Sequence, residues 1–475
     1  MAENFATYLK HPVFKVVSKL AHEKGLPCFV IGGFVRDLIL ERPSKDIDFV
    51  VVGDALALAS EAAQILRVKK VSLFKNYGTA HFRYKDIDVE FVGARKESYS
   101  PDSRKPEVSS GTIEDDQNRR DFTINAMALD MHPERFGELV DPFGGMKDLE
   151  SGIIRTPLDP AVTYSDDPLR MMRAIRFATQ LNFRIEVKSL HAIIDNAYRL
   201  DIISKERIVD ELNKIILTRK PSRGFELLFD TKLLHQFFPE MVALHGVETI
   251  NGNTHKDNFY HTLEVLDNLS LNSENLWLRW GAILHDIAKP PTKRFDDKVG
   301  WTFHGHEDFG ARMVPKIFQR LKLPLDQKMK YVQKLVKLHL RPISLVKGTV
   351  TDSAIRRLLL EAGEDLEELM LLCNADITSK NEFKVKKYRK NYETVQQKFN
   401  ELEEKDRLRS FQPPIGGDEI MAIYGLKPCQ HIGDIKTRIK EAILDGEIPN
   451  EREAAYELML KLGKEFGLNP KNKSN

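Results

Sequence analysis

Between residues 12 and 24, apolar side chains recur at Val13, Val16, Val17 and Leu20. That spacing puts them on one face of a helix, and Gly25-Leu26-Pro27 supplies its stop. A strand over 28–31 runs into Gly32-Gly33. The pattern then predicts a short helix over 35–40, a strand over 47–52, an alanine-rich helix over 54–66, and strands over 68–74, 80–84 and 87–92. The polar, Ser- and Pro-containing segment 93–118 is expected to be a mobile loop. Such alternation makes residues 1–150 a small α/β domain with a mixed sheet. From Asp166 the pattern turns helical, over 166–177, 202–218 and 223–238, with Pro221 and Pro239 as breaks. A mostly α-helical body follows.

With 475 residues the chain holds several domains. A formal charge of +2 excludes a globally basic field, so any nucleic-acid contact falls to local patches. Two are visible: residues 205–223, with Lys205, Arg207, Lys214, Arg219, Lys220 and Arg223, and the run 384–390. Cys28, Cys373 and Cys429 lie far apart and form no CxxC pair, which argues against disulfides and thiolate zinc and points to a reducing cytoplasm. No apolar run approaches the ~20 residues of a membrane span, and residues 1–10 lack a signal-peptide layout.

The chemistry starts at Asp46-Ile47-Asp48. Side chains two apart on a strand share a face, so two carboxylates stand together above Ile47. Paired hard oxygens suit Mg²⁺, and the glycines just before permit close backbone approach to a triphosphate. In Asp86-Ile87-Asp88-Val89-Glu90 either Asp88 or Glu90 brings a third carboxylate beside the pair; Glu90 is the one named catalytic, with Asp88 left open. Arg119-Arg120 precede an apolar element, and arginine forks match phosphate oxygens. Asp167 and Arg170, three apart, are expected as helix-surface neighbours. Such a pair accepts from an exocyclic amine and donates to a ring nitrogen, the edge shared by cytosine and adenine. Farther on, His261, His285, Asp286, His306, His339 and Asp376 arrive one or two per helix, a donor set that suits Mn, Fe, Ni, Co, Zn or Mg. His191, His235 and His431 are read as structural or exposed.

Residues 32–48, 119–128, 141–145 and 166–177 together resemble the class II tRNA nucleotidyltransferase and poly(A) polymerase family, which includes the bacterial CCA-adding enzymes. The resemblance implies a polymerase β-like nucleotidyltransferase head over 1–150, a nucleotide-selecting, RNA-binding neck over 151–250, an HD domain over 251–400 and a tRNA-holding helical segment over 401–475. It also implies that Asp46 and Asp48 bind two Mg²⁺ ions and that Gly32, Gly33 and Arg36 border the triphosphate. Arg119, Arg120, Asp121 and Asn125, with Arg173 and Arg176, would contact the nucleotide, and Asp167 with Arg170 would select CTP and ATP. Asp166 stands where the family has Glu, and 93–118 lies where it has a flexible loop. The second constellation resembles the HD phosphohydrolases, with His261, His285, Asp286 and Asp376 on one metal and His306 and His339 as the added ligands of the two-metal subtype. The implied activity is addition of CCA, or part of it, to tRNA from CTP and ATP. Poly(A) or A-only addition, and HD phosphohydrolysis as the principal activity, stand as alternatives. Neither a membrane partner nor an oligomeric state is implied.

Overall fold

The stripe of Val13, Val17 and Leu20 is the buried face of α1 (Pro12–Glu23), with Pro12 in the first turn where its missing N–H costs nothing. The computed structural model describes residues 4–100, 103–347, 351–378 and 414–471, with positions 397, 399 and 401 besides. The basic run 384–390 and residues 472–475 lie outside the described residues. Two compact units result, Met1–Val242 and Ala243–Asn475.

In the first unit β1 (Cys28–Ile31), α2 (Gly33–Ile39), β2 (Asp46–Val51), α3 (Ala55–Ile65), β3 (Val71–Phe74), β4 (Thr79–Tyr84) and β5 (Ile87–Gly93) follow in order. With β8 (Ala128–Asp130) and β9 (Leu139–Val140) they make one sheet, β3-β4-β5-β2-β1-β8-β9. Only β2 and β5 run parallel among its neighbours, so the sheet is mixed. Strand periodicity sorts β2 cleanly. Ile47, Phe49 and Val51 are buried, and Phe49 stacks on Phe91 at 4.9 Å and meets Phe14 of α1 at 6.0 Å. Each such ring contributes roughly 1.5–3 kcal/mol by burial. On the opposite face Val50 packs with Ile31, Ala94 and Ala128, while Asp46 and Asp48 occupy the open end.

The segment 93–118 is not a loop. It forms an antiparallel ribbon of β6 (Arg95–Ser100) and β7 (Ser103–Ser110), then α4 (Ile113–Asn118), started by a Thr112–Asp115 capping box. A ribbon that satisfies its backbone within itself needs no buried face, so it carries no apolar alternation to read. After α5 (Thr123–Ala126), the Asp141 carboxylate accepts from the N–H groups of Gly145 and Met146 at 2.7 and 2.9 Å and starts α6 (Gly145–Ser151). A Cβ on Gly145 would lie 2.4 Å from the Thr123 carbonyl, so this position requires glycine.

The helix expected over 166–177 is interrupted. α7 (Pro160–Asp166) ends and α8 (Leu169–Leu181) begins around Asp167-Pro168, because proline drives the residue before it out of helical conformation. Asp167 accordingly sits at φ −132°, ψ 94°. α9 (Val187–Asn196), α10 (Lys205–Ile216), α11 (Pro221–Asp230), α12 (Leu233–Phe237) and α13 (Pro239–Val242) complete the unit. Pro221 opens a helix rather than closing one, and the break inside 223–238 falls at Lys232, at φ 64°.

The second unit carries α14 (Asn258–Ser270), α15 (Leu276–Leu284), α16 (Lys289–Thr292), α17 (His306–Leu321), α18 (Gln327–Leu338), α19 (Leu340–Lys347), α20 (Asp352–Ala362) and α21 (Leu366–Ala375). Helices Gly417–Tyr424, Gln430–Asp445 and Arg452–Glu465 close around Ile420, Ile435, Ile439 and Met459. Among the described residues no helix is long and apolar enough to cross a membrane.

Candidate functional site

In the first unit, parallel pairing sets Asp46 beside Asp88 and Asp48 beside Glu90, and antiparallel pairing sets Ile31 beside Asp48. The chain therefore leaves β1 at Gly32, next to Asp48. Gly32 lies at φ 85°, and a Cβ there would come within 3.0 Å of Arg120 Nη1 and 3.6 Å of Asp48 Oδ2. Turn, carboxylate and guanidinium converge at one point that only glycine leaves open. Burial, together with the charges of Glu90 and Asp46 and against the pull of Arg120, pushes Asp48 up to about 6. Asp88 is engaged by His81 at 3.2 Å, which leaves Glu90 as the acid facing Asp48. Among the described residues, three ligand atoms within 4.8 Å of one another occur only in the second unit. The donor set here still suits Mg²⁺, which uses one or two carboxylates and completes its shell with water and phosphate oxygens.

Arg119 and Arg120 are held from behind by the fully buried Asp116, which Arg119 Nε reaches at 2.9 Å and Arg120 Nε and Nη2 reach at 3.1 and 3.0 Å. Asp121 accepts from Arg173 Nε at 2.7 Å and Asn125 Nδ2 at 3.0 Å, and Asn125 in turn accepts from Arg36 Nη1 at 2.8 Å. Burial disfavours the charge on Asp121, but Arg173 and Asn125 outweigh it and hold the carboxyl down at about 2.

Asp167 and Arg170 are not an ion pair on one helix. Asp167 Oδ1 accepts from the Leu169 N–H at 3.2 Å, and Arg170 donates to the Arg119 carbonyl. Pro168 is the cause, since it takes Asp167 off the helix surface. Both still line a cleft of about 650 Å³, with Arg119, Arg120, Asp121 and Arg173. Arg176 does not line it: its side chain is buried against Glu211 and Gln180. Gly32, Gly33, Arg36 and Asn125 likewise stand outside the lining. The sequence reading missed Asp116, Arg95 and Glu211, and placed Arg207 only in a basic stretch; all but Asp116 line the cleft. Asp116 was signalled by its i+3 and i+4 arginines, a signal that counts only once 113–118 is read as a helix.

In the second unit all six expected side chains meet. His261 lies on α14, His285 and His339 cap α15 and α18, His306 opens α17 and Asp376 follows α21. Asp286 stands at the centre: Oδ2 faces His285 Nε2 at 3.2 Å and His261 Nε2 at 3.4 Å, while Oδ1 faces His306 Nε2 at 3.2 Å and His339 Nε2 at 3.8 Å. Asp376 Oδ1 closes the first side on His261 Nε2 at 2.9 Å. One carboxylate thus bridges two triads, His261-His285-Asp286 and Asp286-His306-His339, each with ligand atoms within 4.8 Å. The Nδ1 atoms of His285, His306 and His339 each donate to a main-chain carbonyl at 2.7 Å, and His261 Nδ1 meets Thr378 Oγ1 at 3.1 Å. These contacts turn the Nε2 atoms of all four rings inward, the usual support for a metal-ligating histidine. His285 Nε2 is buried and makes no hydrogen bond. The set therefore fits a metal. Burial lowers His339 to about 4, whereas the two carboxylates overcome burial and raise His261 to about 9.

Three stretches of the chain match known domain families. Residues 28–155 match the poly A polymerase head domain, 182–244 the probable RNA and SrmB-binding site of polymerase A, and 258–381 the HD domain. An A-adding tRNA nucleotidyltransferase of Deinococcus radiodurans is 35% identical over 439 residues, covering 90% of this chain and 93% of that protein. A multifunctional CCA protein of Nitrosococcus oceani is 32% identical over 364 residues, covering 73% and 84%. A Thermotoga maritima CCA-adding enzyme complexed with tRNA shares the fold at TM-score 0.61 and 22% identity, covering 96% and 97% of the two chains. A CCA-adding enzyme in complex with ATP does so at 0.64 and 23%, covering 95% of each.

Proposed function

Because this chain belongs to the tRNA nucleotidyltransferase and poly(A) polymerase family, we propose that it extends tRNA 3′ ends in the cytoplasm without a template, building CCA or part of it from CTP and ATP. The convergence of Gly32, Asp48 and Arg120 carries this reading, because it offers a triphosphate a bare backbone, a cation and a metal-binding carboxylate at one point. Asp46 and Asp48, with Glu90 alongside, would hold two Mg²⁺ ions. Bound there, the ions supply neutralisation of the triphosphate and acidify the attacking 3′-hydroxyl. Arg120 and Arg119 orient the phosphates, and Gly32 allows the close approach. Asp167 accepts from the exocyclic amine of C or A, and Arg170 donates to the adjacent ring nitrogen; the carbonyls of U and G meet an acceptor and are repelled. Positioning and charge are most of what this chemistry asks of a protein.

The test is incubation with tRNA lacking its 3′ end plus labelled CTP and ATP, followed by product sequencing. CCA, CC or A at the end supports the reading. Poly(A), or undiminished incorporation by Asp48→Ala, overturns it.

The second unit supports a second activity, metal-dependent phosphoester hydrolysis. The bridging Asp286, with His261 and His285 on one oxygen and His306 and His339 on the other, favours it. His285→Ala with Asp286→Ala should abolish phosphatase activity and leave nucleotide addition intact.

A further inference from the structure

Phe177 lies on α8 with only 5% of its surface exposed, between the two stretches that match family models. Three guanidinium carbons surround its ring: Arg176 at 3.9 Å, Arg36 at 4.9 Å and Arg173 at 5.4 Å from the centroid. Phe122 meets it edge-on at 5.8 Å. Each guanidinium has its own acid, Glu211, Asp37 and Asp121 in turn. Those acids come from α10, α2 and the turn before α5, so one ring is the shared surface of three ion pairs drawn from three parts of the unit.

Three like charges around a single point repel, even with a carboxylate on each. An aromatic ring relieves this where an aliphatic side chain cannot, because its faces carry the negative lobe of the quadrupole. Arg36 follows the glycine turn directly and donates to Asn125, whereas Arg173 holds Asp121 on the cleft wall. We infer that Phe177 is a positioning residue for nucleotidyl transfer, which fixes Arg36 of the glycine turn against Arg173 of the nucleotide-selecting helix and so sets the distance between the carboxylate pair and the bound base. This rests on the cleft being the nucleotide site. Phe177 touches no substrate itself. Its effect passes through the two arginines, and a misplacement of about 1 Å in such a frame costs on the order of 100-fold in rate.

The experiment replaces Phe177 with mono-, di- and trifluorophenylalanine in the full-length chain. This drains the ring faces of charge at nearly constant shape. Steady-state addition to truncated tRNA is followed with CTP and ATP varied. Stepwise fluorination should lower log kcat/KM in proportion, through KM for the nucleotide, with KM for tRNA unchanged and the thermal midpoint held. Phe177→Leu should fall at or below the trifluoro value, about 10- to 100-fold down. A flat fluorination series overturns the inference and makes the ring a space-filler, even if Phe177→Leu is inactive or unfolded. Asp48→Ala serves as the separate arm: retained activity there refutes the nucleotide site itself rather than the coupling.

Discussion

His306 and His339 point their Nε2 atoms at each other across 3.3 Å, while the Nδ1 of each donates to a carbonyl three residues upstream at 2.7 Å. A neutral imidazole so tethered has a lone pair on Nε2. Either a proton or a metal ion closes that gap: His306, which Asp286 raises against burial, can donate its Nε2–H to His339, which burial keeps neutral, and a metal ion that displaces the proton can take both lone pairs.

Mn²⁺ should therefore raise the unfolding temperature. Saturation at 100 times Kd stabilises by about 2.7 kcal/mol, which is roughly 5–10 °C for a unit of this size. Differential scanning calorimetry with Mn²⁺ or with chelator should show the shift in the wild type and lose it in His285→Ala. Identical curves for the wild type under both conditions would mean that the centre binds no metal.

Asp121 gives an acid limb to stability. Its folded value of about 2 lies below the unfolded value of about 3.9, so its contribution is complete above the unfolded value and is lost as pH falls through the folded one. The shift amounts to on the order of 2 kcal/mol. Asp121→Asn should flatten the urea-midpoint profile between about pH 4 and pH 2. An unchanged slope in the variant would show that Asp121 is not the titrating group.

Asp48 has the opposite sign. Held up to about 6, its folded form keeps the proton more tightly than the unfolded chain, so stability declines as pH rises from about 4 towards 6. Asp48→Asn, measured in chelator at pH 8, should be the more thermostable protein by a few degrees and yet incorporate no nucleotide. Such an exchange of stability for activity is typical of catalytic carboxylates. A variant less stable than the wild type would contradict it.

Asp116→Asn removes the shared anchor of Arg119 and Arg120. Breaking a buried ion pair from one side costs about 3–5 kcal/mol, so the thermal midpoint should drop. Nucleotide KM should rise about 10-fold or more, with a smaller change in kcat. Equal effects on the KM values for tRNA and for nucleotide would place the two arginines outside the nucleotide cleft.

Much of the head was legible. The alternation Asp46-Ile47-Asp48-Phe49 revealed both the strand and its acidic end, because burial on one face leaves a period of two. The ribbon β6–β7 was not, since its polar, Ser- and Pro-containing sequence looks like loop. That error hid α4, and with it Asp116. The Asp167–Arg170 spacing was read as one helical face, which it is not, because Pro168 ends one helix and starts the next. In the second unit all six clustered side chains were visible in sequence. What no spacing reveals is that Asp286 faces both ways, since that depends on where four helix ends meet.

The break at Pro168 has a thermodynamic side. The first N–H groups of a helix have no intrahelical partner, and proline contributes none, so α8 begins there without loss. Its ring also removes conformations of Asp167 from the unfolded chain, which lowers the entropy given up on folding. The acid proposed to read the base is thus held in place by covalent restriction before any nucleotide arrives. Ordering its backbone therefore takes less from the binding free energy, and more of that energy remains to separate C and A from U and G.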